Sequence, residues 1–275
     1  MPAYLLAFAA VPVVPLVLMA TWVATYMKVL ETAKDSGVMK LMGKRFGMEI
    51  LRRVFQLKAM AGQEKVDEQM SAAAREKYPL AAAAAPGSVC FFGSSTFTYW
   101  RLLQEDMAPL PVYNAAFGGS QVHQLLEHIQ ELVLNPNPAV VVYFCGTNDI
   151  ASGSPPEACS EGFASFVSAV RAQRPTLPIV YLNITTTPFH RYCGADRVAA
   201  VATANKLVRE FVARHEHMYF VSTLDSAYER DTSSYLGDNH HLNDAGHVHL
   251  GKELKPTIQQ ALKIAGVCEG TQARR

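Results

Sequence analysis

Ser88-Val89-Cys90-Phe91-Phe92-Gly93-Ser94-Ser95 is an apolar, β-prone run that stops on a glycine and two hydroxyls. It has no polar alternation, so it reads as a strand, 88–92, buried on both faces. The next stretch is helical in pattern, and the glycine between strand and helix permits a tight turn. A strand covered on both sides and leading directly into a helix is the unit of a parallel sheet.

Downstream the same unit repeats without an internal sequence repeat. Strands are expected at 111–114, 139–144, 179–184 and 218–221, separated by helical stretches near 98–107, 121–133, 160–174 and 196–215, with a last helix near 244–265. Such alternation implies an α/β fold, a five-stranded parallel sheet with helices on both faces.

In a sheet of this kind ligands bind beyond the carboxyl ends of the strands. Those ends carry Gly93-Ser94-Ser95, then Asn114 to Ser120, Gly146-Thr147-Asn148-Asp149, Thr185 to Arg191 and, well after the fifth strand, Asp238-Asn239-His240-His241. Four of these loops hold groups that acyl transfer needs. Ser95 at a helix start is a candidate nucleophile, and Ser94 its neighbouring alternative. His241 is the candidate base, with His240 the register alternative. Asp238, three residues earlier, would fix the histidine tautomer. The backbone amides of Ser95 and Gly119 and the side-chain amide of Asn148 are candidate oxyanion donors, with Gly118 the alternative to Gly119. Each residue also has a purely structural reading: Ser95 as a helix cap, Gly119 as a turn, Asn148 as a turn or cap, and Asp149 as a structural carboxylate.

Taken together, Ser95, Gly119, Asn148 and His241 resemble, block by block, the four residues that name the SGNH (GDSL-type) hydrolases. The resemblance runs from about Ser88 to Leu250. It implies a flavodoxin-like three-layer α/β/α fold and esterase, lipase, thioesterase or carbohydrate-deacetylase activity without a metal or other cofactor. The first block departs from the family's usual Gly-Asp-Ser, because Ser94 stands in the place of the Asp. That Asp is not the triad acid, so attack by Ser95 is expected to survive while the local hydrogen bonding changes.

Composition narrows the rest. Of 275 residues 49% are apolar and 18% charged, enough for a large core, and a net charge of +1 offers no overall field for nucleic acid. The five cysteines, Cys90, Cys145, Cys159, Cys193 and Cys268, are scattered and form neither a disulfide framework nor a zinc site. His247 and His249 fall on the last helix with no ligand cluster beside them. Asn183-Ile184-Thr185 fits a glycosylation sequon but ends a buried strand, where no glycan fits. Tyr99 and Trp100 read either as lining of an acyl pocket or as helix packing.

Residues 4–27 contain no charged side chain and are long enough to span a hydrocarbon core as a helix. A cleaved signal peptide is the competing reading, with a secretory or secreted location. Lys28, Lys34, Lys40, Lys44 and Arg45 lie after the run, which for an anchor places the catalytic domain in the cytoplasm. The expected organisation is a transmembrane anchor at 1–27, an amphipathic helical spacer at 28–85, the hydrolase domain at 86–268 and a disordered tail at 269–275. The spacer reads equally as membrane-surface helices or as helices packed on the domain.

The functional expectation is a membrane-anchored serine ester hydrolase acting through an acyl-enzyme on a small-molecule or lipid acyl ester. A carbohydrate O-acetylesterase and a non-catalytic binding module of the same fold are the alternatives. Oligomeric state is not legible in the chain.

Overall fold

The computed structural model describes residues 47–56, 63–223 and 232–266. The expected anchor at 1–27, the first part of the spacer and the tail at 269–275 lie outside the described residues. Among the described residues no helix is long and apolar enough to cross a membrane.

Five parallel strands form one sheet: β1 (Val89–Gly93), β2 (Val112–Asn114), β3 (Val140–Phe144), β4 (Ile179–Leu182) and β5 (Met218–Val221). Their order is β2-β1-β3-β4-β5, the flavodoxin-like order, with the topological switch between β1 and β3. β1 and β3 are buried along their whole length, as their unbroken apolar sequences require. The expected strands agree with these to within two residues at each end.

Alternation along the strands divides the core into two layers. Cys90, Phe92, Val141, Tyr143, Ile179 and Tyr181 face one side. There they meet helices α2 (Gln63–Arg75), α3 (Tyr78–Ala82), α6 (Val122–Leu126), α8 (Pro156–Gln173) and α10 (Ala195–Val212). Val89, Phe91, Val140, Val142, Phe144 and Val180 face the other side. That side is covered by α4 (Ser95–Thr98), α5 (Leu103–Met107) and α11 (Asp244–Ile264). Residues 47–56 form a further helix, α1, and α7 (Thr147–Ala151) and α9 (Pro188–Cys193) are short helices at the strand ends.

Two expected helices divide. The stretch 98–107 becomes α4 and α5, because Trp100 turns into the core and its Nε1 donates to Asp106 Oδ2 at 2.7 Å. The stretch 121–133 becomes α6 and a π-helical turn, Gln130–Leu134. The described parts of the spacer pack on the α/β body. Val66, Met70 and Ala74 join its core, and Leu51 and Val54 of α1 are buried.

Candidate active site

The site is built at the carboxyl edge of β1 and β3. Gly93 is required there, because a Cβ would collide with the Phe144 carbonyl oxygen. Ser94 comes next in extended conformation, its amide donating to the same oxygen at 3.1 Å. Ser95 is then the first residue of α4, where helix-terminal N–H groups favour developing negative charge.

The Ser95 hydroxyl donates to His241 Nε2 at 3.2 Å, and His241 Nδ1 donates to Asp238 Oδ2 at 2.7 Å. This network assigns the histidine tautomer. The other carboxylate oxygen, Oδ1, accepts from the backbone amides of His240 and His241, both at 3.0 Å. Burial pushes the fully enclosed Asp238 carboxyl up. The charge of His241, its hydrogen bond and the two amides outweigh this and hold the group below the ordinary aspartate value. Of the two adjacent histidines, His241 is the one that faces Ser95. The edge of Tyr99 packs on it, ring centroids 4.9 Å apart.

The second loop is held against the first. Ala115 and Phe117 extend β2 by donating to Phe91 O at 2.9 Å and Gly93 O at 3.0 Å. This leaves Gly118 beside the nucleophile: a Cβ there would lie 3.8 Å from Ser95 Cβ, an ordinary contact. Gly119 comes after it with φ 86°, a conformation that favours glycine. Among the described residues neither the Ser95 nor the Gly119 amide has an acceptor. Helix α6 is capped by Gln121, whose amide donates to Gln124 Oε1 at 2.8 Å.

The third loop carries Asn148, which is buried and donates through Nδ2 to Ser120 O at 2.9 Å. Asp149 accepts from the Val122 amide at 3.0 Å, tying the third loop to the start of α6. Burial pushes its carboxyl up. Asn183 is structural, its buried Oδ1 accepting from the amide and hydroxyl of Thr223 at 2.8 and 2.9 Å. Trp100 is packing, stacked on His247 with centroids 5.3 Å apart. His247 Nε2 in turn donates to Thr96 O at 2.9 Å and stays neutral, burial pushing it down to about 4.

The site also gathers residues around His240, the register alternative, whose contacts no motif marked. His240 faces away from Ser95, its Nδ1 3.1 Å from Thr187 Oγ1 and its ring 5.1 Å from that of His190. Burial, then the charges of His241, His190 and Arg197, push His240 well below the ordinary histidine value. Burial likewise pushes His190 down to about 4. Phe189 packs on His240 at 5.2 Å, and Phe55 of α1 stacks on Phe189 at 5.9 Å. Gly47 begins α1 directly against the Gly237-Asp238 backbone, where a Cβ would collide with Gly237 O. Only the spatial arrangement reveals these contacts.

Residues 82–248 match the sequence pattern of the GDSL-like lipase/acylhydrolase family. The chain belongs to that family. It is an ester-hydrolysing enzyme of the α/β class. Among solved structures, a GDSL-like lipase from Bacteroides thetaiotaomicron is 19% identical with a TM-score of 0.57, covering 70% of this chain and 99% of its own. A lipase/acylhydrolase from Enterococcus faecalis is 18% identical with a TM-score of 0.55, covering 69% and 100%. A carbohydrate esterase family 3 protein from Talaromyces cellulolyticus is 18% identical with a TM-score of 0.54, covering 64% and 98%. At these identities the likeness concerns the fold. No curated protein sequence matches the chain.

Proposed function

We propose that the enzyme hydrolyses acyl esters through a covalent acyl-enzyme on Ser95. The observation that carries this reading is the unbroken relay from Ser95 Oγ through His241 to Asp238, at 3.2 and 2.7 Å. Ser95 attacks the ester carbonyl carbon while His241 Nε2 takes its proton. The tetrahedral oxyanion is met by the amides of Ser95 and Gly119 and by the Asn148 side chain. On collapse the ester C–O bond breaks and His241 returns the proton to the departing alcohol. Water, deprotonated by His241, then releases the acid and regenerates Ser95. Asp238, buried and ionised, orients the imidazole and stabilises its cation.

Residues 4–27 are assigned as a membrane anchor with the catalytic domain on the cytoplasmic side, from the uncharged run and the basic residues after it. An anchored enzyme meets lipid-derived acyl esters, and these are the proposed substrates. A second reading, a carbohydrate O-acetylesterase, is favoured by the space directly against Ser95, only about 20 Å³. Purified enzyme assayed on acetylated sugars and on long-chain acyl glycerols separates the two. Faster turnover of the long-chain esters is expected, and turnover confined to acetyl sugars would overturn the lipid assignment.

A further inference from the structure

A second cavity, of about 260 Å³, opens between α1 and α9. It shares Thr147, His190 and His240 with the space against Ser95, so the two are parts of one cleft. Phe55 and Phe189 give it an apolar wall, while Arg52 and Arg197 bring two guanidinium groups to its lining. These two cations are not equivalent. Arg52 is neutralised within its own helix, donating to both carboxylate oxygens of Glu49 at 2.9 and 2.7 Å. That carboxyl also accepts from the Tyr192 hydroxyl at 3.0 Å. The hydrogen bond from Arg52, above the other interactions, holds Glu49 down at about 2.

Arg197 is held differently. Among the described residues no carboxylate lies within ion-pair distance of it, and its one acceptor is Ala151 O, at 3.4 Å from Nη2. Among the described residues its Nη1 has no acceptor and is shut off from solvent. Its charge is felt across the cleft, helping to push down both His190 and His240. Among the described residues no carboxylate lines the cavity to offset it. A half-buried guanidinium without a counter-ion is costly, and its planar donor set suits a carboxylate or phosphate.

We propose that this cavity receives a negatively charged part of the substrate, and that Arg197 makes the enzyme select esters bearing a carboxylate or phosphate near the scissile bond. The inference rests on the serine-hydrolase reading above and adds the substrate class to it. One wall of the cavity, α1, lies outside the family-matched residues 82–248, while Arg197 lies within them.

The test compares ester pairs matched in chain and differing in one anionic group. For charge on the acid half, 4-nitrophenyl hydrogen succinate is set against its neutral methyl succinate counterpart. For charge on the alcohol half, a monoacylglycerol phosphate is set against the monoacylglycerol of the same chain. Wild type is expected to prefer the anionic member of at least one pair by roughly tenfold or more in kcat/KM. Arg197→Gln should abolish that preference through KM, and Arg197→Lys should restore part of it. Cys193→Glu, which places a carboxylate in the same lining, should weaken the preference without touching Arg197. Fluorophosphonate labelling of Ser95 is measured in every preparation. Labelled enzyme with no charge preference in either pair, or with both members slowed equally by Arg197→Gln, would overturn the anion inference alone. Folded wild type that does not label overturns the serine reading instead.

Discussion

Asp238 has no solvent-accessible surface and directs both carboxylate oxygens inward, one to the His241 ring and one to two backbone amides. Replacing it by Asn keeps the shape but offers the ring a different partner, so kcat is expected to fall by roughly a thousandfold or more with KM little changed. Because its folded pKa lies below the ordinary value of 3.8, Asp238 contributes stability that is present above that value and lost as pH falls through the folded one. In denaturant titrations, the stability gap between wild type and Asp238→Asn should close as pH falls from about 5 into acid. A gap that widens in acid would contradict the assignment. Asn148→Ala, which deletes a proposed oxyanion donor, should lower kcat by roughly a hundredfold or more in steady-state assays. Ser94, buried and with its hydroxyl unpartnered among the described residues, is expected to accept Ala with little loss of activity.

At the scale of elements, Asp149 joins the third loop to the start of α6. Asp149→Ala leaves the buried Val122 amide without an acceptor and is expected to cost about 1–3 kcal/mol, read as a lowered denaturation midpoint. Phe55 of α1 closes the cleft against Phe189 and His240. Phe55→Ala should therefore raise KM more than it lowers kcat, and an equal loss in both would argue against a substrate-facing wall. The sheet and its functional edge were legible in the chain because uninterrupted apolar runs such as Val140–Phe144 have one stable use, a doubly covered strand. The loops after those runs carry unusual residues at short spacing, so Ser95, Asn148 and the Asp238–His241 step stand out. Phe55, Phe189 and Arg197 do not. Helix α9 has six residues, too few for a periodic pattern, and Arg197 is one basic residue on a long amphipathic helix. Their meeting at one cavity depends on how α1 folds back onto the strand ends, a contact between segments far apart in the chain.

In the molecule as a whole, two apolar layers hold the sheet rigid, and the reactive groups sit on loops at its edge. The first layer is rich in aromatics: Tyr143 contacts Phe92, Phe163, Phe166 and Tyr181, with centroids 4.7 to 6.2 Å apart. Such a cluster makes the loops precise by making their anchors stiff. Phe166→Ala is expected to cost about 3–5 kcal/mol, visible as a large drop in thermal midpoint, while the labelling of Ser95 survives at temperatures where the protein stays folded. The central claim, that this fold presents Ser95 as an activated nucleophile, is tested most directly by fluorophosphonate labelling and peptide mapping. Wild type, Ser95→Ala and Ser94→Ala are compared, each verified as folded. The predicted result is a single adduct on Ser95 in wild type and in Ser94→Ala, and none in Ser95→Ala. An adduct that persists in Ser95→Ala, or folded wild type that does not label, would contradict it.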